Sequence, residues 1–175
     1  MSKKVIAAAL LFFAIVIGVL FVTNKKRGAK NPLAEGTTQT TSAPAQTQVV
    51  DKQASFAIFT NGTFRIFTAT MYHNLSENVY IEASNPNIVR VKKTNITWND
   101  FFSTLPFKLS QDCLTTGTNE TFCTGSSGTL KFYLNGEEKP EVLNLVIESG
   151  DKLLVTFGKE STETIKKQLD EIPNP

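Results

Sequence analysis

The chain has 175 residues, a formal net charge of +2 at pH 7 and a hydrophobic fraction of 41%. So small a positive excess argues against a nucleic-acid-binding protein, especially since Lys25, Lys26, Arg27 and Lys30 directly follow an apolar segment of membrane-spanning length. One histidine and two cysteines are too few for a standard four-ligand zinc site.

The first predicted element is a transmembrane anchor over residues 5–22, an unbroken apolar run that begins at Val5 and ends at Val22. A helix of this length spans about 27 Å, close to the ~30 Å hydrocarbon core of a bilayer. A cleaved signal peptide is the alternative, but its apolar region usually has only about 7–15 residues and ends at a small-residue site. The run ends in FVTN, which lacks such a site, so we favour an uncleaved, single-pass signal anchor.

A disordered linker is expected over residues 23–53, because this stretch is rich in Thr, Ala, Gln and Pro and poor in large apolar residues. A flexible chain of about 25 residues has an end-to-end distance of roughly 25–30 Å. The linker is therefore expected to hold the following domain off the membrane. We predict that this domain covers residues 54–159 and that residues 160–175 form a short C-terminal helix and tail.

The domain begins with a predicted β-hairpin. Apolar residues alternate on both sides of Asn61-Gly62, which predicts paired strands over residues 55–60 and 63–68. Two shorter strands are predicted over residues 79–83 and 88–91, separated by turn-forming residues.

A helix is predicted to begin after Thr97, whose side chain can cap it together with Asp100 in a variant capping box. Its large apolar residues recur at spacings of three and four, so they share one face and are expected in the core. They are Trp98, Phe101, Phe102 and Leu105.

Later strands complete an α+β order. A second Asn-Gly pair predicts a hairpin of residues 130–134 with residues 143–147, and a last strand is expected over residues 152–157. Ser161 can cap a C-terminal helix with Ile165, Leu169 and Ile172 on one face. We expect this helix to dock on its own sheet; a partner-binding helix is the alternative.

Cys113 and Cys123 lie in one stretch, QDCLTTGTNETFCTGSSG, which is expected to form a loop. A disulfide closing it would stabilise the fold by roughly 2.5–3 kcal/mol in the chain-entropy model. The two Cα atoms should then lie ~4.4–6.8 Å apart. Nine intervening residues favour a structural bond over a catalytic C-x-x-C dithiol. Two unpaired thiols are the alternative.

Four N-x-S/T sequons, beginning at Asn61, Asn74, Asn95 and Asn119, are candidate N-glycosylation sites. Together with a disulfide, which persists in oxidising compartments, they favour an extracytoplasmic domain. The charges flanking the apolar run oppose this, because more Lys and Arg residues follow the run than precede it. We give the cysteines and sequons more weight and expect a single-pass cell-membrane protein whose C-terminal domain lies outside.

Several segments carry a resemblance to known proteins. LKFYLNGEE followed by LVIESGDKLLVTFG resembles the closing strands of β-grasp (ubiquitin-like) domains. TWNDFF, the two-cysteine stretch, FYLNG, ESGDKLLVTFG and KKQLDEIP together resemble a family of uncharacterised, membrane-anchored extracytoplasmic proteins of archaea and candidate-phyla bacteria. The resemblance covers about residues 55–172 and implies a β-grasp-like domain outside the cell, but no reaction. Members of that family often carry several histidines near Tyr72-His73-Asn74, where this chain has His73 alone.

The function expected from these patterns is binding or structural rather than catalytic. The sequence offers no glycine-rich phosphate loop, and its cysteines suit a structural bond. We therefore expect an extracytoplasmic module without cofactor or metal that meets a protein or glycan partner at the cell surface or in the envelope. The alternative is a small envelope enzyme or metal-dependent module using His73 with a nearby carboxylate such as Glu77 or Glu82.

Overall fold

A computed structural model describes residues 49–175 as a mixed α+β fold with two helices. The anchor predicted over residues 5–22 and the linker up to residue 48 lie outside the described residues. From residue 49 onward, no helix is both long enough and apolar enough to cross a membrane.

The elements follow one another in three groups. The first strands are β1 (Val49–Thr60), β2 (Thr63–Phe64), β3 (Val79–Glu82) and β4 (Asn85–Lys93). Then come helix α1 (Trp98–Thr104) and the short strands β5 (Lys108–Leu109), β6 (Cys113–Thr115) and β7 (Thr121–Cys123). The last group is β8 (Thr129–Leu134), β9 (Glu137–Glu138), β10 (Lys152–Gly158) and helix α2 (Thr162–Asp170).

The main sheet has the strand order β3-β4-β1-β10-β8-β9, with β2 paired to β1 as well. The two central strands, β1 and β10, are parallel, and Ser55 lies opposite Lys152. The other pairs are antiparallel, and β5, β6 and β7 form a separate antiparallel sheet. The longest strand is therefore central and has a partner along each edge.

One face of the main sheet packs against α1. Thr97 caps this helix: its hydroxyl accepts from the Asp100 amide at 3.1 Å, and its own amide donates to the Asp100 carboxylate at 2.9 Å. Trp98, Phe101 and Phe102 are buried against the β1 side chains of this face. The predicted capping box and core face of α1 are confirmed.

The opposite face is covered by α2. Ser161 caps the helix, and its apolar face contacts Ala57, Phe59 and Leu154 of the two central strands. The residues in this contact are the predicted ones: Ile165 and Leu169 of the helix and Ile172 just after its end. The prediction that the C-terminal helix docks on its own sheet is confirmed.

Strand β1 begins five residues before the predicted domain boundary. Residues 49–53, expected at the end of the linker, belong to the sheet, because β4 pairs with them from Val49 to Gln53. An ion pair of Asp51 with Lys92, at 2.9 Å, links the two strands there. The composition of residues 49–53 favours a linker, but pairing with the distant strand β4 places them in the sheet.

Two predicted strands are shortened or lost. β2 ends at Phe64 instead of residue 68. Its predicted end would have to pair with Ser55 and Phe56, but β4 already pairs with Ser55, and the Asn87 side chain donates to the Phe56 carbonyl at 3.0 Å. Residues 143–147 are not a strand: a 3-10 turn at Val142–Asn144 starts the segment, and Ile147 is buried in the core. After β9 the chain leaves the sheet in a turn that the Val142 amide closes on the Lys139 carbonyl at 3.1 Å, with Pro140 at the second position, where its fixed φ is favoured.

Candidate functional site

An apolar groove of about 370 Å³ lies on the surface of the described residues. It lies between residues 63–72, which follow the first hairpin turn, and residues 107–118, which contain β5 and β6. Its lining side chains are mainly aliphatic and aromatic. Those used below are Ile58, Arg65, Ile66, Phe67, Met71, Tyr72, Phe107 and Leu114. We call this feature the apolar groove.

The floor of the apolar groove is continuous with the protein core. Ile58, Phe67 and Leu114 are buried, whereas Tyr72 and Phe107 are half-buried. The Phe67 ring contacts Tyr72 at 5.2 Å and Phe107 at 6.0 Å between ring centroids. The groove is therefore a place where the main core opens to solvent.

The rim carries two large apolar side chains that are mostly exposed. Ile66 is 68% exposed and Met71 is 52% exposed, and both line the groove. Leu75, which is 44% exposed, does not line it. Apolar side chains exposed beside an apolar concavity are typical of binding surfaces.

The first hairpin turn fixes one wall. Asn61 and Gly62 have φ of 50° and 74°, the left-handed pair that a type I′ turn requires. Thr60 then pairs with Thr63, and the Arg65 amide donates to the Ile58 carbonyl at 2.8 Å. The turn thus determines where the chain from residue 63 onward runs beside the groove.

Among the strands of residues 49–175, none pairs with the outer edge of β2. Phe64 lies opposite Phe59. The residue pairs before and after this one in the β1–β2 ladder are hydrogen-bonded, so Phe59 and Phe64 form a non-hydrogen-bonded pair. The Phe64 amide and carbonyl therefore point away from β1. They lie along the wall of the groove, since Phe64 is one of its lining residues.

The disulfide hairpin forms the opposite wall. Cys113 and Cys123 are bonded, and their Cα atoms are 4.1 Å apart, slightly closer than the expected range. The reason is that they face each other on β6 and β7 as a non-hydrogen-bonded pair, where strands approach most closely. The predicted loop is thus a β-hairpin, and the predicted disulfide is present.

Close packing holds the tip of this hairpin in place. A Cβ atom added at Gly117 would lie 2.9 Å from the Pro106 carbonyl oxygen, so a side chain there would force the backbone apart. The tip therefore approaches the segment after α1 closely, and it brings Thr116 and Thr118 to the groove.

Arg65 links the two walls of the groove. Its Nε donates to the Thr60 hydroxyl at 2.6 Å, and its Nη2 donates to the Glu120 carboxylate at 3.3 Å. Its guanidinium also lies 5.1 Å from the ring centroid of Phe122 in β7. Because Thr60 ends β1 and the other two residues belong to the disulfide hairpin, these contacts fix the separation of the walls.

His73 has a structural contact. Its Nε2 lies 2.8 Å from the Phe67 carbonyl oxygen, which can only accept, so Nε2 carries the proton. Of the two carboxylates considered beside it, Glu82 forms an ion pair with Arg90 at 3.5 Å, and Glu77 is exposed. Across residues 49–175, no cluster of three or more His, Cys, Asp and Glu side chains could hold a metal ion.

One carboxylate elsewhere affects a tyrosine. Partial burial, with a smaller contribution from the Glu138 carboxylate, raises the pKa of Tyr133 to about 12. The Tyr133 hydroxyl donates to Glu138 at 3.1 Å. Neither residue lines the groove.

The four sequon asparagines are all exposed and all have left-handed backbone conformations. Their φ values are 50° at Asn61, 54° at Asn74, 60° at Asn95 and 64° at Asn119. Asn135, which is not in a sequon, has a φ of 54°. Asparagine tolerates this conformation better than most residues, so turn geometry alone accounts for asparagine at these positions. Their glycosylation stays a prediction.

No pattern in the sequence marks the groove residues as a site. Ile66 belongs to the predicted strand over residues 63–68, and Met71 belongs to no predicted element. The one sequence feature beside the groove is the Asn61-Gly62 hairpin, which positions one wall but does not by itself indicate a site. Comparison of the chain with protein-family models, curated proteins and solved structures finds no match.

Proposed function

We propose that this chain is a membrane-anchored, extracytoplasmic binding or structural module that holds a protein partner in the apolar groove. The observation that carries the proposal is the exposure of Ile66 and Met71 beside a concavity that opens into the core. Exposing apolar surface to water is unfavourable, so a partner that covers this surface would lower the free energy of the protein.

The partner we propose is an extended polypeptide segment with apolar side chains. The free Phe64 amide and carbonyl can pair with such a backbone by strand addition, while the groove receives alternate side chains. A glycan is less suited, since the exposed surface of the lining is mainly apolar.

We further propose that the domain is β-grasp-like. Support comes from the strand order β4-β1-β10-β8-β9, with a parallel central pair and a helix between β4 and β8 along the chain. This is the arrangement expected of a sheet that wraps one helix. β2, β3 and the sheet of β5 to β7 would be additions to it, and they supply both walls of the groove.

The alternative function, an envelope enzyme or metal-dependent module at His73, has less support. His73 would have to release the Phe67 carbonyl before its Nε2 could bind a metal ion or accept a proton. That change would also disturb Phe67, which forms part of the groove floor.

Site-specific photo-crosslinking tests the binding proposal. A photoreactive amino acid is placed at position 66, 71 or 75 of the full chain, and membranes of the expressing cells are irradiated. We expect discrete protein adducts from positions 66 and 71, and little from position 75, which is also exposed and apolar but lies outside the groove lining. Equal yields from all three positions, or no adduct from positions 66 and 71, would contradict the proposal.

A substitution adds a matched control. Ile66→Ser should abolish the adduct formed from position 71, because it removes the apolar rim of the groove. Leu75→Ser should leave that adduct unchanged.

A further inference from the structure

The chain contains two Asn-Gly turns with nearly the same backbone. Asn61 and Gly62 have φ of 50° and 74°, and Asn135 and Gly136 have φ of 54° and 87°. Both pairs connect antiparallel strands through a two-residue turn. Backbone φ therefore does not distinguish the two asparagines, and differences in their reactivity must come from the hydrogen bonds of each turn.

The Asn135 side chain is held at both ends of its amide. Nδ2 donates to the Asp151 carboxylate at 3.0 Å, and Oδ1 accepts from the Lys152 amide at 2.9 Å. Asp151 is itself only 8% exposed. The Asp151 side chain and the Lys152 backbone thus fix the Asn135 side chain in one orientation.

The Asn61 side chain is exposed, and within residues 49–175 no hydrogen bond restrains it. The amide of the next residue, Gly62, donates to the Glu160 carboxylate at 3.2 Å. Gly62 has open space where a Cβ atom would be, so no neighbouring group crowds the turn there. The exposed bond to Glu160 is then the one hydrogen bond of this turn that must break before the Gly62 nitrogen attacks the Asn61 side chain.

We propose that Asn61 is a site of spontaneous deamidation in the folded protein, and that Asn135 is protected. The Gly62 nitrogen attacks Cγ of Asn61 and forms an N–Cγ bond, while the Cγ–Nδ2 bond breaks. Nδ2 leaves as ammonia and carries away the proton lost from Gly62, so no oxidant or reductant is needed.

Water then opens the resulting succinimide. Cleavage of the N–Cγ bond gives aspartate, and cleavage of the bond from the nitrogen to the Asn61 backbone carbonyl carbon gives isoaspartate. Either product places a second carboxylate beside Glu160, which already contacts this turn. Isoaspartate also lengthens the backbone inside the turn, which opposes the Thr60–Thr63 pairing that positions the groove wall.

The same Nδ2 atom would carry a glycan if the Asn61 sequon were used. Glycosylation and deamidation at Asn61 therefore compete for one atom. A test of the proposal must use chain made in a host that does not glycosylate.

Peptide mapping by mass spectrometry separates the two sites. Trypsin places Asn61 in residues 53–65 and Asn135 in residues 132–152, since Pro140 blocks cleavage after Lys139. The full chain, purified in detergent, is incubated at mildly alkaline pH in the folded state and, in parallel, in concentrated urea. Samples digested at time zero correct for deamidation during digestion.

We expect Asn61 to convert roughly ten times faster than Asn135 in the folded chain. Two hydrogen bonds, one of them to the buried Asp151, must break to free Asn135, whereas the Asn61 turn has only the exposed bond from Gly62 to Glu160. In urea the two rates should become similar, since both asparagines precede glycine. Equal native rates, a faster native rate at Asn135, or no conversion of Asn61 while the unfolded chain converts would overturn the proposal.

Discussion

At the scale of single residues, Gln168 is the least satisfied polar side chain in the interior of the described region. It lies on the sheet-facing side of α2, is 2% exposed, and neither amide atom has a hydrogen-bond partner. The Thr156 hydroxyl of β10, the strand against which α2 packs, is also buried without a partner. Each such group costs about 1–3 kcal/mol, so α2 docks less favourably than its apolar contacts alone would allow.

Gln168→Met should therefore stabilise the fold. The substitution keeps the length of the side chain and removes two buried polar groups, and we expect the free energy of unfolding to rise by about 1 kcal/mol. Urea denaturation at constant m-value measures the change. The exposed residue Gln111, replaced in the same way, should show no gain. A fall in stability on replacing Gln168 would mean that its amide contributes a favourable interaction.

At the scale of elements, the disulfide hairpin of β6 and β7 is a small sheet that stabilises the wall of a site. Leu114 and Phe122, which face each other between the strands, are buried. Phe122 contacts Phe157 of β10 at 5.4 Å between ring centroids. The hairpin is thus attached to the main core through its own side chains as well as through its covalent bond.

Replacing both Cys113 and Cys123 with serine should destabilise the domain by roughly 2.5–3 kcal/mol without abolishing its fold. The physical reason is that the unfolded chain regains the freedom of the loop, while the apolar contacts of Leu114 and Phe122 remain. Thermal unfolding followed by circular dichroism measures the loss. The reduced wild-type protein serves as the control and should match the double variant. An unchanged midpoint, or a chain that no longer folds, would contradict this expectation.

At the scale of the whole molecule, strands far apart in the sequence meet in the centre of the sheet. β1 pairs with β4 and β10, and α1 and α2 cover opposite faces of this unit. The apolar groove lies where the additions to this unit meet, between the segment after the first turn and the disulfide sheet. The site therefore depends on the complete domain and on no single element.

The proposed extracytoplasmic location makes a prediction for whole cells. A tag placed after Pro175 in the full chain should be removed by protease added to intact cells. The reason is that the anchor predicted over residues 5–22 would leave the entire domain outside. Immunoblotting for the tag measures the loss, and a cytoplasmic protein that stays intact controls for lysis. Protection of the tag until the membrane is permeabilised would place the domain inside.

Local signals were sufficient for the helices, the first turn and the disulfide. Thr97 and Asp100 are close in sequence and bond each other, and the Asn61-Gly62 turn needs only its own two residues. Cys113 and Cys123 are ten residues apart, so a short hairpin brings them together. In each case the partners are near each other along the chain, and local chemistry decides the outcome.

The sequence by itself therefore determined the α+β class, the capped helices, the core face of α1 and the cysteine pairing. Only the tertiary structure decided that residues 49–53 join the sheet, that β2 stops at Phe64 and that residues 143–147 do not form a strand. The groove belongs to this second group. A β2 that reached residue 68 would need Phe56 and Ser55 of β1, but β4 already pairs with Ser55, and the Asn87 side chain donates to the Phe56 carbonyl. Competition between distant segments for one strand edge leaves no local pattern in the sequence.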